Sequence, residues 1–341
     1  MNRIRIATMA TLTVTLTVSG CSTGGDNGSA AGGSTEGVEG QSAYVLTLPR
    51  SNPTQSNFAD TVTEDLEGAG LKVVTEYSEY GAGADQMQKF NQALSTKPAA
   101  IVLWPTDTSS LIPAYARARQ QSPDTKIVVG IYQPATDDDN LYDAFWGYDE
   151  EKIGASSAQA IVDGLTAREK PVQGTILQIE GSPGGATTIL RKKGFEETLA
   201  QIAPDLKIVS SMTANWDGTE ATTVAAQMFS RHAADNIVGV FAHSDVMLDG
   251  AILAGERAGT IAGRDYVAVG ADCDPVGYRN IEAGKQYATA LWDPFALGHT
   301  GAEVTVDLLS GGEVQKSTTL EAATITKDNL ATCDEAVGNY Q

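Results

Sequence analysis

The sequence predicts an α/β protein built of two doubly wound, parallel-sheet lobes. Three observations carry this reading. Short apolar runs alternate with amphipathic segments from residue 42 onward. The alternation pauses at one acidic loop, Asp137-Asp138-Asp139-Asn140, and then resumes. The ordered part is roughly 300 residues, more than a single hydrophobic core serves, so two lobes are expected.

The elements follow in order. Residues 43–48, AYVLTL, are the first strand candidate. Phe58, Val62 and Leu66 recur every four residues and mark one helix face, which Gly68 and Gly70 end. A strand at 71–76 leads to a helix marked by Met87, Phe90 and Leu94. Then come a strand at 99–104, a helix at 111–121 and a strand at 127–132. Beyond the acidic loop, 153–165 reads as a helix and 175–179 as a strand. Phe195, Leu199 and Ile202 mark a helix before strand 207–212. Val224 and Met228 mark one before strand 237–242, and Leu248 and Ile252 one before strand 266–270. Strands at 287–291 and 322–326 flank a last helix around 304–309. Strands of this length separated by helices form parallel sheets covered on both faces.

The segment ahead of this body has its own logic. Arg3 and Arg5 precede an uncharged run at 6–18, the length of a signal-peptide apolar region and too short to span a bilayer. Val18-Ser19-Gly20-Cys21 then resembles a bacterial lipobox, whose cysteine is lipidated and becomes the new N-terminus. Residues 1–20 therefore read as a signal peptide and Cys21 as a lipid anchor. The alternative is an ordinary secretory signal with a chance cysteine. The Gly-, Ser- and Thr-rich tract that follows cannot bury enough apolar surface to offset its ordering entropy. Residues 21–41 are expected to be a flexible tether, with the fold starting near Ser42. The expected location is extracytoplasmic, anchored to the cell membrane through Cys21.

Past the signal the chain carries 21 basic residues against 43 acidic ones. Such a body lacks the clustered Lys and Arg that contact phosphates, so nucleic acid is not an expected partner. Two cysteines remain, Cys273 and Cys333. In an exported chain the pair is expected to be bonded; two buried thiols are the alternative.

In doubly wound sheets, ligands sit beyond the carboxyl ends of the strands. The residues found there are Asn52 and Gln55; Pro105 to Asp107; Tyr132 and Gln133; the 180–185 loop; Trp216; His243 to Asp245; Asp272; and Trp292. This mixture of aromatic faces, carboxylates, amides and hydroxyls suits sugars and polyols. Their C–H faces stack on indoles and their hydroxyls both donate and accept. Trp104 reads as core, Trp292 as a ligand wall, and Trp216 as either. Asp107 with Thr108 and Ser109 reads first as a helix cap, which does not exclude ligand contact.

These residues resemble the ribose-binding type of periplasmic sugar-binding protein, the solute receptor of an ABC importer. The resemblance runs from Ser42 to about Asn329. Its motifs are Asn52-Pro53, Trp104-Pro105-Thr106-Asp107, Glu180-Gly181-Ser182-Pro183-Gly184 leading to Arg191 and Gly194-Phe195, Ala242-His243-Ser244-Asp245-Val246-Met247, and Val269-Gly270-Ala271-Asp272. It implies a type I periplasmic binding protein fold, with two lobes joined by a three-strand hinge and the ligand between them. The crossings would fall near 146–149, near Trp292 and near 322–326. The N-terminal lobe would comprise 42–147 and 293–321, and the C-terminal lobe 148–292 and 322–341. The last of these would hold both Cys273 and Cys333.

The resemblance also implies site residues. Asp272 and Asn52 fall on a ligand-binding carboxylate and asparagine. Ser244 stands where Asn is usual, Trp292 where Gln is usual, and Gln55 where an aromatic ring often stacks. Tyr132 and Gln133 replace an Asp-Arg pair, and Ile189 replaces a second gripping arginine. Arg191 matches an arginine with a structural role. With the arginine fork absent, a neutral sugar or polyol other than ribose is expected, and Trp216 and Trp292 would supply the stacking. The implied partners are that ligand and a membrane permease, with the protein acting as a monomer.

Other classes fit less well. A glycoside hydrolase needs two carboxylates facing each other across a bond, and nothing in the sequence pairs them. No Gly-x-Ser-x-Gly elbow is present, the 181–185 loop lacks the Lys of a phosphate loop, and His232, His243 and His299 lack metal-ligand spacing. No cofactor or metal is expected. A sugar-responsive repressor would carry a DNA-binding headpiece where this chain has a signal and tether. A lipoprotein that senses its ligand and reports to a membrane receptor remains the alternative to transport.

Overall fold

A computed structural model describes residues 37–340. The expected signal, Cys21 and the tether as far as residue 36 lie outside the described residues. The first half consists of β1 (Ser42–Thr47), α1 (Pro53–Gly68), β2 (Lys72–Tyr77), α2 (Gly83–Ser95), β3 (Ala100–Leu103), α3 (Ile112–Gln121), β4 (Lys126–Gly130) and β5 (Ala144–Tyr148). The second begins with α4 (Glu150–Thr166), β6 (Gly174–Glu180), α5 (Ala186–Ile202), β7 (Leu206–Thr213) and α6 (Gly218–Arg231). It continues through β8 (Ile237–Ala242), α7 (Asp245–Arg257), β9 (Val267–Asp272), α8 (Pro275–Glu282) and β10 (Ala288–Leu291). The chain closes with α9 (Pro294–Ser310), β11 (Ser317–Leu320), β12 (Thr324–Thr326), a 3-10 turn at Lys327–Cys333 and α10 (Asp334–Asn339).

Two six-stranded sheets result, ordered β11-β5-β4-β3-β1-β2 and β12-β10-β9-β8-β6-β7. Every pairing is parallel except that of β12 with β10. The two orders are the same pattern, and each reverses once, at β1/β3 and at β6/β8. Those are the switch points where a crevice opens at the carboxyl edge. The chain passes between the sheets three times: from β5 to α4, from β10 to α9, and from β11 to β12. The fold is the two-lobed α/β architecture that the alternation of strands and helices predicts.

Some local expectations need correction. Val38 is fully buried in the first lobe's core, and Gly40 N–H donates to Gly70 O at 2.8 Å. The folded body therefore begins before Ser42, because one valine in the polar tract has a core site to fill. The last long helix starts at Pro294, ten residues before its apolar run around 304–309. Asp293 caps it, its Oδ1 accepting from the N–H groups of Phe295 and Ala296 at 2.8 and 3.3 Å. The strand expected at 322–326 is β12, and β11, which the sequence reading did not include, precedes it in the other sheet. β5, α8 and α10 complete the set.

Two close approaches orient the second lobe. Gly154 of α4 and Gly194 of α5 face each other so tightly that a Cβ on either would overlap the other helix's backbone, at Arg191 O and Glu151 O. The two helices can touch only because both residues lack a side chain. That contact brings α5's Arg191 onto the first turn of α4. Among the described residues, no helix is long and apolar enough to cross a membrane.

Candidate functional site

A cavity of about 540 Å3 lies between the carboxyl edges of the two sheets. From the first lobe, Asn52 and Gln55 reach it from the start of α1, Tyr80 from beyond β2, Trp104 from β3 and Tyr132 from β4. From the second, Thr187 and Arg191 reach it from α5, Trp216 from beyond β7, Ser244 from β8 and Asp272 from the end of β9. Trp292 sits on the second crossing.

Helix caps fix several of these groups. Asn52 Oδ1 accepts from Thr54 N–H at 3.0 Å, and Ser244 Oγ accepts from Met247 N–H at 3.3 Å. With an acceptor site used in the cap, each retains donors for a ligand. The complementary acceptors are Asp272 and Gln55. Among the described residues, the buried Gln55 Oε1 has no hydrogen-bond partner, and Trp104 Nε1 has no close one, the Tyr132 hydroxyl lying beside it. A buried acceptor on the cleft wall matches a ligand hydroxyl, which can donate to it.

At the base of the second lobe lies a buried charge cluster. Arg191 and Glu150 are 2% and 3% exposed, and Arg191 Nε donates to Glu150 Oε2 at 2.6 Å. Arg191 also donates to the carbonyl of His243 and stands 3.6 Å from Asp272 Oδ1. Glu150 Oε1 accepts from Trp292 Nε1 at 3.0 Å and from Thr187 Oγ1 at 3.4 Å. Burial pushes the Asp272 carboxyl well above the usual carboxylate range, while Arg191 draws it back. Burial, with the charge of Arg191 beside it, holds His243 well below the usual imidazole range. One guanidinium thus stands between two carboxyl groups at the base of the cleft, and a second, Arg279, lines its wall.

The backbone is unusual at the same place. Of seven non-glycine residues with positive φ among the described residues, five follow or end strands at this edge: Ile131, Asn215, Trp216, Asp272 and Cys273. Strain of this kind persists where surrounding contacts over-determine it, and it clusters at ligand sites. For Asp272 the restraint is Asp245. Its Oδ2 accepts from Cys273 N–H at 2.9 Å and from Thr289 Oγ1 at 2.8 Å, and its Oδ1 from Gln286 Nε2 at 2.6 Å. Trp216 owes its seat to Gly181, where any Cβ would run into the indole ring. The Arg191 guanidinium lies 5.9 Å from the centre of that ring.

Seven sequence-predicted residues line the cavity: Asn52, Gln55, Tyr132, Trp216, Ser244, Asp272 and Trp292. Three do not. Asp107 is tied up as a turn cap, its Oδ1 accepting from the N–H groups of Ser109 and Ser110 at 2.8 and 2.7 Å. Burial would raise its carboxyl, but the hydrogen bonds from Ser110 and Ser109 outweigh that and lower it. Gln133 is exposed beyond the wall, while Tyr132, which follows the left-handed Ile131, is buried. Ile189 is 54% exposed on the outer side of α5. Trp104, read as core, is both core and wall. Glu150, Tyr80, Thr187 and Tyr340 were not found from the sequence. Glu150 reads as an ordinary first-turn acid between Asp149 and Glu151, and only packing buries it. Cys273 is bonded to Cys333, with Cα atoms 6.1 Å apart.

Two similar lobes around a deep cleft with a polar and aromatic lining define a solute receptor that encloses its ligand. The family described as "Periplasmic binding protein domain" matches residues 44–313, and the chain belongs to it. It is 28% identical over 283 residues to the D-allose-binding periplasmic protein of Escherichia coli, covering 80% of this chain and 86% of that one. It is 28% identical over 247 residues to the xylitol-binding protein of Mycolicibacterium smegmatis, covering 70% and 64%. Among solved structures, the Caulobacter myo-inositol binding protein bound to myo-inositol superposes with a TM-score of 0.76 at 23% identity, covering 86% of this chain and 95% of that one.

Proposed function

We propose that this protein captures a neutral sugar or polyol between its lobes and delivers it to an ABC importer. In this reading it is an extracytoplasmic lipoprotein held to the membrane through Cys21, and it catalyses no reaction. The ligand contacts are Asn52, Gln55, Tyr132, Trp216, Ser244, Asp272 and Trp292. The observation that carries the reading is the cleft's chemistry. Indole rings and a buried carboxyl group line the same cavity, and an unpartnered acceptor, Gln55 Oε1, waits on the opposite wall. Similarity to allose- and xylitol-binding proteins supports the same class. Ligand bridges both lobes only when they are closed, so binding shifts the population towards closure, and a permease can then select the closed form.

The test is a thermal-shift screen of the body from residue 37 onward, against pentoses, hexoses, polyols and non-carbohydrate solutes. A ligand that binds only the folded state raises the melting temperature. A rise with a sugar or polyol supports the reading. A rise confined to charged or non-carbohydrate solutes overturns it.

A further inference from the structure

The C-terminal tail brings into the cleft a residue to which neither the strand-end rule nor the family resemblance points. Cys273, directly after Asp272, is bonded to Cys333. Asp272 and Cys273 have φ values of 116° and 61°, a left-handed stretch fixed by the Cys273 N–H bond to Asp245. From Cys333 the tail runs through α10, which Tyr278 ties to α8, its hydroxyl donating to Asp334 Oδ1 at 3.0 Å. The next residue, Tyr340, lines the cavity. Its ring meets Phe295 edge-on, with centroids 5.5 Å apart at 85°. Phe295 opens α9, which packs on α1 of the first lobe. The tail is thus stapled to the second lobe and ends against a helix of the first.

The Tyr340 hydroxyl is buried and, among the described residues, makes no close hydrogen bond, the side chain of Thr54 being the neutral polar group beside it. Leaving such a group unpaired is unfavourable, and buried tyrosine hydroxyls normally find partners. The charged groups that face it are Asp272, Asp274 and Asp293. A carboxylate or phosphate on the ligand would meet these acids, whereas a neutral hydroxyl would not be repelled.

We infer that Tyr340 contacts the ligand through a ligand hydroxyl, and that the Cys273–Cys333 disulfide is what holds it in the cleft. This rests on the sugar-or-polyol reading above. The disulfide acts on both sides of the site, because one half-cystine adjoins Asp272 and the other starts the segment that carries Tyr340.

The experiment is calorimetric titration of a panel of pentoses, hexoses and polyols, including D-allose, xylitol and myo-inositol, into five proteins. They are the wild type, Tyr340→Phe, Tyr340→Ala, the double variant Cys273→Ala/Cys333→Ala and the triple variant that adds Tyr340→Ala to it. For a sugar or polyol that the wild type binds, Tyr340→Phe should raise Kd about fivefold, the worth of one hydrogen bond. Tyr340→Ala, which also loses the ring's packing against Phe295, should raise it more than about tenfold. Removing the disulfide should raise Kd as well. Adding Tyr340→Ala to that variant should then change Kd little further, since effects that act through one residue do not add. Wild-type affinity in Tyr340→Ala overturns the inference and leaves the sugar reading standing. Full additivity overturns the part assigned to the disulfide. Should the cysteine variant not fold, the two Tyr340 variants still decide the contact. A wild type that binds no panel member overturns the sugar reading, and the inference with it.

Discussion

Asp272 is the residue on which the site turns. It ends β9 with a positive φ, faces the cavity and stands 3.6 Å from Arg191. Asp272→Ala removes an acceptor for ligand hydroxyls but leaves Arg191 its bond to Glu150. A charge-assisted hydrogen bond lost on binding corresponds to a Kd increase of about 10- to 100-fold, measurable by titration calorimetry. Asp274 belongs to the same edge and makes a prediction about pH. Burial, working against its cap bonds to Gly277 and Val276, raises its carboxyl from 3.8 to about 6. A group that holds its proton more tightly when folded stabilises the fold at low pH, and that contribution is lost as the pH rises through about 6. Asp274→Asn keeps the cap and removes the charge. The variant should match or exceed the wild type's melting temperature at pH 7, and this advantage should shrink towards pH 4. Thermal melts of both proteins across that range check the sign.

Among the elements, the α4–α5 pair carries the most consequence. Gly154 and Gly194 let the two backbones touch, and the touch places Arg191 against Glu150. Gly194→Ala would force the helices apart. Overpacking of this sort costs about 1–3 kcal/mol, and separating a buried ion pair adds to it. Urea unfolding should show a loss of at least about 2 kcal/mol, and ligand affinity should fall with it. Gly-Phe at 194–195 is visible in the sequence, but its pairing with Gly154, forty residues earlier, is not. The caps were easier to read. Asn52-Pro53, Asp107, Asp217 and Asp293-Pro294 announce helix or turn starts through their own chemistry, and the structure uses each as a cap or turn anchor.

The described body is two sheets of the same strand order, differing in the direction of one edge strand and joined by three passages, and two of those passages are tied to the cleft. Trp292, on the second passage, donates to Glu150 at the end of the first. Tyr148, on the first, accepts from Asp293 N–H at 3.2 Å and packs 5.8 Å from the Trp292 ring. A ligand that touches Trp292 therefore touches the hinge. Small-angle scattering of the body should show a smaller radius of gyration with saturating ligand than without it. An unchanged radius would mean that binding does not close the lobes.

The sequence by itself determined the alternation of strands and helices, hence two doubly wound sheets and a cleft at their carboxyl edges. These follow from local periodicity and from capping chemistry, which each segment carries within itself. It also placed Asp272, Ser244, Asn52 and the tryptophans at strand ends. Only the tertiary structure decided which way each side chain turned. Tyr132 faces in and Gln133 out, although they are neighbours. Glu150 is buried between two exposed or half-buried acids, and Val38 leaves a polar tract to fill the core. Tyr340 reaches the cleft from a tail that a disulfide folds back across 60 residues of sequence. Such outcomes depend on contacts between residues far apart in the chain, and no local pattern encodes the meeting of two surfaces.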